Sequence, residues 1–185
     1  MNAQALPTNG EIADRFDLYG DLLEIGGEPS RHRILAYRRG ATRIRGAGES
    51  VAAMALEGRA VELPDIGGTL QDKIVELVQT GEIVALQRLR AKVPEGLADI
   101  ARLQGIGPKR AYAVWQALGV VDLNGLSAAA ADGRLASVAG IGPKVVVQVA
   151  EQLAAGAVPN DRTPIGRALP VAEQIVADLA QTRGT

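Results

Sequence analysis

Cysteine is absent from this chain, and disulfides, thiolate metal sites and thiol catalysis are excluded with it. Histidine occurs once, as His32, which leaves no histidine-rich metal centre and makes a histidine-based triad a poor fit. Aromatic residues make up only 3% where hydrophobic residues reach 47%, and this excess of aliphatic side chains suits helices better than a sandwich or barrel. An excess of charge of either sign is lacking as well. A net charge of −1 with 22% charged residues argues against indiscriminate polyanion binding, so any nucleic-acid contact must come from local clusters. No apolar run approaches the ~18 residues of a membrane span. Met1 to Gly10 does not combine a basic stretch with an apolar one, so no secretory signal is visible and a cytoplasmic home without a membrane partner is expected. Strand-length runs of alternating β-branched residues are missing too. The nearest, Val145 to Val149, directly follows Gly-Pro-Lys at a helix start. The expected fold is all-α.

What is present is repetition. Residues 8–24 predict a first helix, capped by Thr8 or Asn9, with Ile12, Phe16, Tyr19, Leu22 and Leu23 at helical spacing. After the break at Gly26-Gly27-Glu28-Pro29, residues 30–45 predict a second, and residues 49–57 a short third. One unit then recurs three times: a short helix, a turn built on glycines, and a longer helix. Its turns are Leu63-Pro64-Asp65-Ile66-Gly67-Gly68, Leu103-Gln104-Gly105-Ile106-Gly107-Pro108-Lys109 and Val138-Ala139-Gly140-Ile141-Gly142-Pro143-Lys144. The tail predicts a loop and a last amphipathic helix over 166–180. Three segments are therefore expected: a helical domain over 1–88, a tandem of hairpins over 89–157, and a linker with a terminal helix over 158–185.

The repeated turn has a chemistry of its own. Two glycines permit the positive φ of a tight bend, and proline at the first helical position surrenders an amide that would be orphaned anyway. The other N-terminal amides then point outward at the positive end of the helix dipole, a ready phosphate site. Lys109, Arg110 and Lys144 add positive charge beside the backbone of Gly105, Ile106, Gly107, Gly140, Ile141 and Gly142. Nothing in the pattern reads base edges, so contact is expected to be independent of sequence. The first copy is degenerate: Asp65 stands where the others have glycine, and Thr69 where they have lysine. A second concentration of charge lies between Pro29 and Gly48, where Arg31, Arg33, Arg38, Arg39, Arg43 and Arg45 occur without an acid. On one helix they cannot all share a face. Trp115 is expected to pack the core of the second repeat.

The hairpins carry the hallmark of the helix-hairpin-helix motif, and the order of parts resembles the N-terminal half of the family X DNA polymerases, the polymerase beta-like group. The resemblance rests on Phe16 to Gly27, on Arg31-His32-Arg33-Ile34-Leu35-Ala36-Tyr37-Arg38-Arg39, on Leu63 to Gly67, on Lys73-Ile74-Val75-Glu76-Leu77 with Thr80-Gly81, and on Gly105 to Lys109. It spans almost the whole chain, including a tail that looks like the helix leading into the palm. It implies a polymerase beta N-terminal-like bundle followed by tandem SAM-like hairpins, with a non-sequence-specific role on gapped, nicked or 5′-phosphorylated DNA in repair. Arg33, Arg38 and Gly67 join the hairpin residues as the implied DNA contacts. Lys73 corresponds to the lysine that serves some members as a 5′-deoxyribose-phosphate lyase in base excision repair, and Tyr37 to a tyrosine lining that pocket. Arg33 and Thr69 stand where active members place lysines. The spacing of Lys73 and Glu76 also permits an ordinary i,i+3 surface ion pair.

The resemblance implies no cofactor beyond a monovalent cation such as Na⁺ or K⁺ at the carbonyls of Leu103 and Ile106, or of Leu63 and Ile66. The family's palm holds two magnesium ions on three aspartates, yet no Asp-x-Asp pair occurs here. This chain is thus expected not to polymerise DNA; a palm in a longer or partner chain and a freestanding relative without one are both open on the residues. A helical protein-interaction scaffold, with hairpins that only pack, is the alternative of a different class.

Overall fold

The computed structural model describes residues 5–156, which form helices and turns with no strand among them. The expected terminal helix over 166–180 lies outside the described residues. Helix α1 (Asn9–Ile25) starts at a capping box: Thr8 Oγ1 accepts from the Glu11 amide, and Glu11 Oε2 accepts from the Thr8 amide at 2.7 Å. Of the two candidate caps Thr8 takes the role, and Asn9 has a different task. Its side chain donates to the carbonyls of Ala47 and Glu49 and accepts from Val51 N, stapling α1 to the loop before α3.

Helix α2 (Arg31–Arg45), capped by Ser30, runs antiparallel to α1, as cross-helix pairs from Arg45–Asp14 to Arg38–Glu24 require. Their close approach depends on small residues. A Cβ on Gly20 would press on Arg38 and the Ile34 carbonyl, and Gly40 faces Leu70. Helix α3 (Val51–Leu56) and a 3-10 turn (Ala60–Glu62) lead into the first hairpin and α4 (Gly68–Thr80), which Gly81 ends in the left-handed conformation.

Helix α5 (Val84–Arg90) was not foreseen, and the domain boundary expected after residue 88 falls inside it. The second hairpin joins α6 (Leu97–Arg102) to α7 (Gly107–Leu118). An alanine-rich α8 (Leu123–Ala131), capped by Asp122 and likewise unforeseen, and a 3-10 turn (Arg134–Ser137) precede the third hairpin and α9 (Pro143–Ala154). The core is continuous across these parts. Phe16, Leu22, Ile44, Ile74, Leu97, Leu103, Leu126 and Leu135 are fully buried in one cluster, and α1 packs on α5, α6 and α7 as well as on α2. Each such side chain contributes about 1.5–3 kcal/mol by burial. The hairpin turns are thereby carried on one continuous hydrophobic core.

Candidate nucleic-acid interface

In the second and third hairpins the bend is made at Gly105 (φ 92°) and Gly140 (φ 82°), a region that L side chains avoid. The next residues, Ile106 and Ile141, are buried, and their amides donate to Leu103 O at 3.0 Å and Val138 O at 3.1 Å. These isoleucines therefore anchor the turns from inside. They were expected among the contact residues, but neither side chain nor amide is offered to solvent. The amides of Gly105, Gly107, Gly142 and Lys144 have no partner among the described residues, and Gly142, Lys109 and Lys144 are exposed.

The two turns differ in one respect. Gly107 takes φ 68° and is itself the first residue of α7, so Pro108 is second, whereas Gly142 is extended and Pro143 opens α9. The hairpins are also tied together. Gln152 accepts from the Gln104 amide at 2.9 Å and donates to its carbonyl at 3.2 Å. Arg110 donates to the Gly105 carbonyl at 2.6 Å and lies beside Gly140. Lys109 and Lys144 have no ion pair among the described residues.

The first hairpin opens on a second feature, a cleft lined by Tyr19, Arg33, Tyr37, Gly67, Thr69 and Lys73, among others. Asp65 holds the bend with φ 65° in place of glycine. Gly67, Gly68 and Thr69 expose the start of α4, where no side chain caps the amides. Lys73 makes no ion pair with Glu76. Its Nζ stands 5.8 Å from the centroid of the Tyr19 ring, while Glu76 turns away and accepts from Val84 N at 3.4 Å. Arg33 donates to the Tyr19 hydroxyl and to Glu28, both at 2.9 Å. Tyr37 lies beneath, edge-on to Tyr19 and Phe16 with centroids 4.4 and 5.7 Å away. Burial, reinforced by Tyr19 and opposed by Arg33, pushes the Tyr37 phenol well above its ordinary value. It stays a neutral phenol at physiological pH and walls the cleft.

Tertiary packing sorts the arginines of α2. Arg38, expected to touch DNA, is engaged by Asp21 at 3.0 Å and Glu24 at 2.5 Å, and Arg45 by Asp14 and Asp17. Burial disfavours charge on Arg38, but these hydrogen-bonded carboxylates prevail and raise its affinity for the proton. Asp21 also takes Arg102 of α6 at 2.9 Å, so this cluster is the joint between α1, α2 and α6. Arg43 pairs with Asp65 at 3.6 Å. Arg31 lines a groove shared with Lys109 and Arg110, and Arg39 lines one shared with Arg43. Sequence reasoning passed over Tyr19 as a site residue; its hydroxyl on an otherwise apolar helix face was the available signal. Trp115 is partly buried against the core and edge-on to the exposed Tyr112 at 5.6 Å.

Residues 7–83 match the family model of a helix-hairpin-helix domain, and residues 97–155 that of a SAM-like helix-hairpin-helix tandem. The chain is also similar to the DNA polymerase/3′-5′ exonuclease PolX of Bacillus subtilis (strain 168), with 28% identity over 159 residues. The match covers 86% of this chain and 27% of that protein, so the chain spans about a quarter of the relative's length. Among the described residues no helix is long and apolar enough to cross a membrane.

Proposed function

Since this chain is a helix-hairpin-helix relative of the family X DNA polymerases, we propose that it is a DNA-binding module that holds gapped, nicked or 5′-phosphorylated DNA through its phosphates, in DNA repair. The observation that carries this is the pair of outward bends. Gly107, Gly142 and Lys144 have amides without partners among the described residues, and each bend is followed by a lysine with no counter-ion there. A phosphodiester oxygen supplies the missing acceptor and the missing charge together. Recognition through amides and charge is indifferent to base sequence. A sodium or potassium ion on the Leu103 and Ile106 carbonyls belongs to the same proposal; the Ile106 amide takes one lone pair of the Leu103 oxygen and leaves the other.

The test is affinity for a gapped duplex at low salt. Lys109→Glu and Lys144→Glu should each weaken binding about tenfold or more, since each replaces an attraction with a repulsion. No affinity in the wild type, or affinity indifferent to both changes, would favour the protein-interaction scaffold.

A second reading, lyase activity, is favoured by the position of Lys73 at the cleft without a carboxylate partner. In that chemistry the uncharged Lys73 amine adds to the C1′ aldehyde of an abasic sugar and loses water to form a Schiff base. Removal of a C2′ proton then breaks the C3′–O bond and frees the downstream strand with its phosphate. Borohydride reduction during incubation with abasic DNA should trap a covalent adduct that Lys73→Ala abolishes. An adduct that persists in Lys73→Ala rules out this assignment.

A further inference from the structure

Aromatic side chains are scarce in this protein: one tryptophan, three tyrosines and one phenylalanine. Phe16, Tyr19 and Tyr37 are buried and Trp115 is partly so, whereas Tyr112 is 41% exposed. Tyr112 stands on the outer face of α7, one turn beyond the second bend. Residues three and four apart on a helix are neighbours, so Tyr112 has Lys109 on one side and Gln116 on the other. Both are exposed, Lys109 has no ion pair among the described residues, and α7 contains no acidic residue. The groove at the start of α7 adds Arg31 and Arg110; Glu24 and Glu28, which also line it, are engaged by Arg38 and Arg33. Trp115 meets the Tyr112 ring at 5.6 Å with the two planes at 84°. Rings in this edge-to-face arrangement restrain one another, yet Trp115 covers at most one face of Tyr112. Singly exposed apolar side chains are ordinary. A braced ring with an open face, beside an uncompensated lysine, has the make-up of a stacking platform.

We propose that Tyr112 stacks on an unpaired nucleobase, so that α7 holds a phosphate at its start and a base of the same single-stranded segment one turn later. The inference rests on the DNA-binding function above and goes beyond it, because amides and lysines take the phosphates of paired and unpaired DNA alike. Lys109 and Tyr112 are offset by about 4.5 Å along the helix axis. A base is joined to its phosphate through one sugar, so both parts of a nucleotide fall within reach of the pair. Inside a duplex the two faces of a base are already stacked on its neighbours, and only an unpaired base has a face to give. Every base has such a face, so the contact tolerates any sequence. The ring carries out this task and the hydroxyl does not. Tyr112→Phe preserves the platform and Tyr112→Ala removes it.

The experiment compares two duplexes of equal length, one nicked and one with a gap of several unpaired thymidines, and reads the ratio of their Kd values. A ratio cancels any general loss of affinity. The wild type should bind the gapped duplex about tenfold more tightly, the effect of stacking one base. Tyr112→Phe should keep that preference. Tyr112→Ala should bring the ratio close to one and leave the affinity for the nicked duplex little changed, since the side chain is exposed and its removal spares the core. Photocrosslinking of the wild type gives a second readout that needs no variant. A gap containing 5-iodouracil, irradiated in the complex, should form an adduct that mass spectrometry maps to Tyr112. A full preference in Tyr112→Ala, no preference in the wild type, or an adduct found only at other residues would overturn the stacking role while the hairpin contacts stand. A wild type that binds neither duplex overturns both.

Discussion

Asp65 shows how one side chain can keep a fold while spoiling a site. It adopts φ 65° at the position where the other hairpins place Gly105 and Gly140, so the bend is kept in a conformation that costs a non-glycine residue about 1 kcal/mol. Its carboxylate lines the same cleft as the start of α4 and takes Arg43 at 3.6 Å, across a solvated distance where a pair contributes little. Asp65→Gly should therefore raise stability by about 0.5–1 kcal/mol, read from urea unfolding. The same change releases Arg43 and removes a negative charge from the cleft, and should tighten binding to gapped DNA. If affinity does not move, the first hairpin only packs. The substitution was visible in the sequence as a departure from the repeat; its strained backbone was not, because φ depends on the bend closing.

Helix ends were legible where a cap or a stop adjoins a periodic run. Thr8 and Ser30 cap α1 and α2, and Gly81 and Gly119 end α4 and α7 in the left-handed conformation. The α1 cap carries a pH signature. Hydrogen bonds from the Thr8 amide and hydroxyl hold the Glu11 carboxyl below its ordinary range, against a smaller opposing effect of burial. The folded protein thus binds this proton less readily than the unfolded chain. The stabilisation is fully present above the unfolded value and is lost as pH falls below about 4. Glu11→Gln should lower Tm at neutral pH and flatten the acid limb of the stability profile; an acid limb identical to wild type would remove Glu11 as its source. Gly96, at the start of α6, has φ −62°, which any residue accepts, but a Cβ there would meet the carbonyl oxygen of Val121. Gly96→Ala should destabilise by about 1–3 kcal/mol through overpacking, detectable in thermal unfolding. Helices α5 and α8 escaped the sequence reading because their ends are set by packing and by one aspartate, not by a strong amphipathic period.

Across the molecule, the joint at Asp21 connects the helices of the first hairpin to those of the second. It takes Arg38 and Arg102 while largely buried, so Asp21→Ala leaves Arg38 to Glu24 and Arg102 to a longer contact with Asp99, and should cost about 1 kcal/mol after solvent screening. Chemical denaturation measures this loss directly. An unchanged midpoint would mean that the continuous core alone holds the two parts together. The spread of free cations bears on DNA in the same global way. Binding through several phosphates should weaken steeply with salt, and Lys109→Glu and Lys144→Glu should each reduce the slope of log affinity against log salt by about one. A slope unaffected by either change would remove those lysines from the phosphate contacts.

The sequence by itself determined what depends on near neighbours along the chain: an all-helical fold, three hairpin bends, their caps, and amides left open by glycine and proline. These follow from bonds closed within a few residues, so local spacing suffices. Which of the α2 arginines remain available was decided only in three dimensions. Arg38 and Arg45 meet the acidic side of α1, whereas Arg33 and Lys73 converge on Tyr19. A charge is compensated by whatever lies within a few ångströms, and that neighbour is chosen by how helices pack.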